Sequence, residues 1–251
     1  MAKTAEAIDL LNGTIPQLFN RSDVSSNYCP ESDFVSKWAH VLDIVTQHKL
    51  RFWSGELAST ATKDQCAFLE SVLNAEMAVP YGRKLDLQLR VKSSTLMKDT
   101  MLELNNSEFK KHDTHPTDLA IQLRKNILVY HAMLLQLTLI NLPLDNMELL
   151  ALDVRGWVAN IFCLRKMDDV WACNLVCDTI LLPYDKSSWD DFLEGPSMEM
   201  LWNYVQHLTS YYDMVLKRDT KHYKETTIIP ITPWTCPFHW VNSPSCRQSP
   251  E

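Results

Sequence analysis

Glycine is scarce in this chain, with five residues in 251, and none stands in a G-x-G-x-x-G or G-x-x-x-x-G-K arrangement. A glycine loop wrapped around nucleotide phosphates is therefore excluded. The eight histidines are dispersed and never form H-E-x-x-H, and no serine occupies a G-x-S-x-G elbow. Zinc-protease and serine-hydrolase chemistry lose their usual signatures. His112 and His115, beside Asp113, read as part of a solvated loop. Long apolar runs are missing too. The longest, residues 132–144, is interrupted by Gln136, Thr138, Asn141 and Pro143, too short and polar for a membrane span. The opening MAKTAEAIDLLNGTIPQLF lacks an apolar stretch followed by a small-residue cleavage site. The expectation is an intracellular protein, nuclear or cytoplasmic, without a membrane partner.

Positive charge is in short supply: 24 Lys and Arg face 31 Asp and Glu, a net charge of −7. That balance argues against a broad surface coating nucleic acid. It is compatible with a metal nuclease, whose clustered carboxylates are offset locally by divalent cations. Seven cysteines, at 29, 66, 163, 173, 177, 236 and 246, fit reduced thiols better than a disulfide framework. Cys173 with Cys177, Cys236 with His239, and Cys246 offer parts of a zinc site. Cys173 and Cys177 lie in an apolar stretch, however, where the plain alternative is small buried hydrophobes.

What the chain does hold is 46% hydrophobic residues and 22% charged ones, enough for one sizeable globular domain. Phe34, Trp38, Val41, Leu42 and Val45 recur at helical spacing, predicting an amphipathic helix over 30–48 with Glu31 on the apolar side. A strand follows over 50–58 and a helix over 63–73. Residues 85–91 (LDLQLRV) alternate, placing Asp86 on the polar face of a half-buried strand. TMLELNNSEFK predicts a second, antiparallel strand with a bulge or turn near Asn105, Asn106 and Ser107. A helix from Pro116 to about 140 carries Gln122, Asn126 and Tyr130 as a polar stripe. Strand-like segments occupy 147–182, one final helix covers about 189–217, and a proline-rich tail follows.

The chemistry concentrates in one constellation. An aspartate on one strand and an acid-x-lysine triplet on the next, here Asp86 with Glu108 and Lys110, is the minimal arrangement for metal-dependent phosphodiester cleavage. Carboxylates hold Mg²⁺ or Mn²⁺ through hard oxygen ligands, and the ion activates water and steadies charge on phosphorus. The lysine orients the nucleophile or neutralises developing charge. In Glu108-Phe109-Lys110 the strand period puts Glu and Lys on one face. A solvated strand face would carry the same alternation.

YGRKLDLQLR, LELNNSEFK and QLRKNILVYHAML resemble a family of uncharacterised fungal proteins with a G-R-K/R-x-D-L strand, an E-L-x-x-x-E-W/F-K strand and a Q-x-x-K-N-I helix. ESDFVSKW and FWSGELAST look like the same family's first helix and W-G-E strand, and Arg155-Gly156-Trp157 is a weaker match. The likeness covers about residues 30–165. Its core is similar to the PD-(D/E)XK nuclease superfamily. That resemblance implies an α/β (α+β) restriction-endonuclease-like core, a central mixed sheet flanked by helices in α-β-β-β-α-β order. It also implies a divalent metal held by Asp86, Glu108 and the first-helix acid Glu31, with Lys110 catalytic and Gln122 supporting it. Two departures stand out. Trp53-Ser54-Gly55-Glu56 inserts a serine into W-G-E, leaving Glu56 structural or supporting, and Glu103 competes with Glu108 but lacks a following lysine.

The expected organisation is an N-terminal extension (1–29), a nuclease-like core with additional strands (30–183), a C-terminal helix packed on it (184–224) and an extended tail (225–251). The leading functional expectation is a Mg²⁺-dependent DNA endonuclease, acting on DNA rather than RNA. The alternative is a catalytically inactive PD-(D/E)XK-like module binding nucleic acid or protein. Trp234, Phe238 and Trp240 would let the tail dock on a protein partner, and a homodimer is compatible with the sequence.

Overall fold

The structure is a computed structural model that describes residues 30–73, 82–93, 101–140, 142, 148–167, 170–176, 178–185 and 187–226. The N-terminal extension and the proline-rich tail, with Trp234, Cys236, Phe238, His239, Trp240 and Cys246, lie outside the described residues, as does Cys177.

Helix α1 (Glu31–Val45) buries Phe34, Val35, Trp38, Val41, Leu42, Ile44 and Val45. Acidic Glu31 and Asp33 occupy its first turn, where the helix dipole favours them. It ends before Gln47 and His48, both left-handed at φ 53° and 57°. Strand β1 (Phe52–Ala58) carries Gly55 at φ +108° and slips register against its neighbour between Ser54 and Leu57. The inserted serine of the sequence is thus absorbed as an irregularity in the strand. Helix α2 (Thr60–Leu73) follows, three residues earlier than its periodicity suggested.

Strands β2 (Lys84–Lys92) and β3 (Met101–Lys110) pair antiparallel. The ladder shifts between Leu89 and Arg90, leaving Leu104 as the extra residue just ahead of the predicted bulge. Helix α3 (Pro116–Thr138) then crosses over to β4 (Glu148–Arg155), which runs parallel to β3. Strands β5 (Val158–Met167), β6 (Val170–Leu175) and the short β7 (Ile180–Leu181) complete a seven-stranded mixed sheet. Its order is β1-β2-β3-β4-β5-β6, with β7 also on β5.

The two faces of the sheet are told apart by neighbouring asparagines. Tyr130 of α3 bonds the Asn106 backbone, whereas Tyr204 of the last helix donates to Asn105 Oδ1 at 3.1 Å. Successive strand residues point to opposite faces, so helices α2 and α3 cover one side while α1 and the last helix cover the other. The side under α1 is apolar, with Leu85, Leu87, Leu89 and Phe109 buried. The side under α3 is not.

The single final helix expected from the sequence is two helices. α4 (Trp189–Glu194) stops at Gly195, which is extended at φ −92° and ψ 173°, and α5 (Pro196–Thr226) starts afresh. Proline disfavours helical geometry in the residue before it and has no N–H for the preceding turn. α5 then extends beyond the predicted end at Lys217.

The polar stripe of α3 faces the sheet. Gln122, Asn126, Tyr130 and Gln136 are all buried against the sheet. β3 and β4 pair only from Ser107 with Leu152 to Lys110 with Arg155. Before that point the strands diverge, and side chains take up the freed backbone groups. Gln136 Oε1 accepts from Glu103 N at 3.0 Å, the Tyr130 hydroxyl accepts from Asn106 N at 2.9 Å, and Asn105 Nδ2 donates to Leu150 O at 2.7 Å. Buried backbone groups must find partners, and this helix supplies them.

Candidate functional site

The β2–β3 ladder runs Leu89 with Asn105, Gln88 with Asn106, and Leu87 with Ser107. One further step sets Asp86 opposite Glu108, and cross-strand partners share a face. Asp86 is anchored there by Phe109, whose N–H donates to Asp86 Oδ2 at 2.9 Å. Gly82 holds the approach to this strand. A Cβ at that position would lie 2.0 Å from the Ser59 carbonyl oxygen, so only glycine lets β2 begin so close to the β1–α2 junction.

Glu108 is 2% exposed, and burial pushes its carboxyl up to about 7. The hydrogen bond and charge of Lys125 pull the other way, neighbouring Asp86 pushes it further up, and Lys110 pulls down. Lys125 Nζ lies 2.8 Å from both Glu108 oxygens and also donates to Lys84 O at 2.8 Å. Glu108 is therefore a buried carboxylate held by an ammonium that reaches in from α3.

Asp153 stands beside Glu108 in the parallel register of β3 and β4. Its Oδ1 accepts from Gln122 Nε2 at 2.5 Å and Asn126 Nδ2 at 2.7 Å. Burial raises its carboxyl to about 6, opposed by those two amides and by the charge of Lys110. Gln122 Nε2 also donates to Glu108 O at 3.2 Å, tying α3 to both strands.

Lys110 Nζ donates to Phe109 O at 2.8 Å and lies 3.5 Å from Glu31 Oε2. Both side chains are about one third exposed, at 32% and 35%, so this pair forms the solvent side of the cluster. Gly156 N donates to Lys110 O at 2.8 Å, and Trp38 Nε1 of α1 donates to Gly156 O at 3.1 Å. These bonds hold the middle of α1, through the β4–β5 turn, against the end of β3.

All five residues singled out in the sequence, Glu31, Asp86, Glu108, Lys110 and Gln122, meet at one end of the sheet. Glu103 does not. It is fully buried five residues earlier in β3, accepting from Ser59 Oγ at 2.6 Å, Thr60 N at 2.6 Å and Thr60 Oγ1 at 2.9 Å. It caps the start of α2, with Arg90 at 3.7 Å balancing its charge.

Two members of the cluster escaped the sequence reading. Lys125 sits three residues beyond Gln122, hence on the same helix face, but next to Arg124 it has the look of a solvated helix lysine. Asp153 interrupts an otherwise apolar strand directly before the Arg155-Gly156 turn, a signal that was present and unused. Several polar atoms around the cluster are buried without a hydrogen-bond partner: Glu108 Oε1, which lies 2.8 Å from Lys125 Nζ without accepting from it, Gln122 Oε1, Asn106 Oδ1, and both amide atoms of Gln88.

Among the described residues, no three Asp, Glu, His or Cys side chains come close enough to hold a metal ion. Mg²⁺ needs fewer, since it binds through one or two carboxylates and keeps several waters. Asp86 and Glu108 supply two such hard oxygen donors side by side. The donor set thus fits a hard divalent ion, provided Lys125 yields the Glu108 carboxylate. On the zinc alternative, Cys173 is half-buried on β6, while Cys177, Cys236, His239 and Cys246 lie outside the described residues.

No helix among the described residues is long and apolar enough to cross a membrane. Compared with known protein families, curated proteins and solved structures, the chain matches none.

Proposed function

We propose that the protein is a metal-dependent nuclease of the PD-(D/E)XK type that hydrolyses phosphodiester bonds in DNA. The observation that carries this reading is Asp86 anchored beside Glu108, its Oδ2 accepting from Phe109 N, with Lys110 one strand period beyond Glu108 and Glu31 on Lys110. Further support comes from the order α1-β1-β2-β3-α3-β4, with α2 inserted after β1. Here β2 opposes its neighbours and β3 runs parallel to β4. That is the order the resemblance implies.

In this reading Asp86 and Glu108 hold Mg²⁺ or Mn²⁺, which supplies Lewis acidity to water and to the scissile phosphate when bound. Lys110 presents an ammonium about one third exposed to the attacking water and to charge building on phosphorus. Glu31 orients that ammonium. Gln122 is a positioning residue in this reading, because its amide nitrogen is engaged by Glu108 O and Asp153.

One observation favours a second reading, the inactive binding module: Lys125 already neutralises Glu108. The two separate in a cleavage assay on supercoiled DNA and on single-stranded RNA with Mg²⁺ or Mn²⁺. Asp86→Ala, Glu108→Ala and Lys110→Ala should each reduce cutting of DNA by about a hundredfold or more, with unchanged circular dichroism. Undiminished cutting by the Asp86→Ala/Glu108→Ala double variant would overturn the nuclease reading. Nucleic-acid binding that ignores metal, without cutting or calorimetric metal uptake by the wild type, would establish the inactive module.

A further inference from the structure

Resting on the metal reading of the site, we infer that Lys125 is a built-in counter-cation that occupies the Glu108 carboxylate and competes with the divalent ion for it. Glu108 is almost entirely buried, and a bare carboxylate there would be costly or would take up a proton. Lys125 offsets part of both, with its Nζ 2.8 Å from each carboxylate oxygen.

The geometry distinguishes this lysine from Lys110. Lys110 faces outward, bonding Phe109 O and lying 3.5 Å from Glu31. Lys125 reaches inward from the third turn of α3 and lies directly on the metal-side carboxylate. Its third contact is the Lys84 carbonyl at 2.8 Å, so it also pins the start of β2, the strand that carries Asp86.

A divalent ion placed on the Glu108 oxygens would meet the Lys125 ammonium within a few ångströms, and like charges that close repel. Ion binding is therefore expected to push Lys125, whose side chain is 30% exposed, toward water. The expected consequence is a weakened resting affinity for metal together with a site that stays folded when no ion is present. Breaking a charge-assisted hydrogen bond of this kind corresponds to roughly tenfold to a hundredfold in binding.

The test is Mn²⁺ binding to the full chain, measured by calorimetry and by the paramagnetic signal of the free ion. Wild type and variants are compared in the same buffer at each pH. Lys125→Gln should bind Mn²⁺ about tenfold to a hundredfold more tightly than wild type, and Lys125→Arg within about twofold of it. Damage to the fold lowers affinity, so a gain cannot arise from a merely structural role. Equal or weaker binding by a folded Lys125→Gln protein overturns the inference and leaves the metal reading standing.

A second measurement avoids substitution altogether. Mg²⁺ titration of the wild type, followed by the ¹⁵N resonance of the Lys125 ammonium, should shift that resonance in step with the carboxylate ¹³C resonances of Asp86 and Glu108. Carboxylate shifts with an unmoved Lys125 signal would refute the competition. No uptake of either ion by wild type or variant removes the metal reading, and the inference with it.

Discussion

Glu108→Gln should make the protein more stable at pH 8 and leave it nearly unchanged at pH 5. Burial lifts the Glu108 carboxyl from 4.5 to about 7, so between those values the folded chain holds a proton that the unfolded chain has released. A group raised in this way contributes stability that is full below the unfolded value and is lost as pH rises through the folded one. The span is about 2.5 pH units at about 1.4 kcal/mol each, or roughly 3 kcal/mol lost by pH 8. Glutamine reproduces the protonated shape and never ionises, so it avoids that loss. Lys125, 30% exposed, turns to water when its partner is neutral. The assay is urea denaturation of both proteins in the presence of a chelator, from about pH 5 to pH 8. The variant should gain roughly 3 kcal/mol at pH 8, falling below about 1 kcal/mol at pH 5. Asp153, raised to about 6, has the same sign in both proteins and cancels in the difference. A variant no more stable than wild type at pH 8, or a gap that does not change with pH, refutes the reasoning. A carboxylate that costs stability at neutral pH has its natural explanation in function.

Two further substitutions test the frame around the site. Gly82→Ala drives a Cβ into the Ser59 carbonyl, 2.0 Å away, and should destabilise by about 2–3 kcal/mol in thermal unfolding; a change under about 0.5 kcal/mol would mean the β1–α2 junction is not tight. Glu103→Ala removes the acceptor for Ser59 and Thr60 and leaves Arg90 without its partner, costing about 3–5 kcal/mol by chemical denaturation. Glu103→Gln keeps one acceptor oxygen and should recover roughly half of that loss.

Local pattern carried much of this structure. The alternation of LDLQLRV, the Pro116 helix start and the polar face shared by Glu108 and Lys110 each translated into the expected element, because backbone period decides them directly. The polar side of β2 did not behave as alternation suggests. Gln88 is fully buried, since a face that looks solvent-bound in one strand is covered here by α2 and α3. Asp153 was overlooked because its role depends on β4 lying parallel beside β3, a pairing made across the α3 crossover and invisible to any local window. Lys125 was overlooked because a lysine on a helix is usually solvated, and only the depth of Glu108 draws it inward. The break at Gly195, by contrast, was legible in the Gly-Pro pair and was overridden by helical periodicity on both sides.

The bond from Trp38 to the Gly156 carbonyl joins residues 118 positions apart. Asp86 and Glu108 meet within one hairpin, a short loop to close, while Glu31 reaches Lys110 only when α1 has docked on a sheet that already contains β4 and the β4–β5 turn. Closing the longer loop costs more chain entropy and is repaid only by contacts that form together with it. Loop-closure entropy therefore favours formation of the acid pair before the Glu31–Lys110 pair. During synthesis and folding, the cluster becomes complete only after the chain has emerged past Gly156.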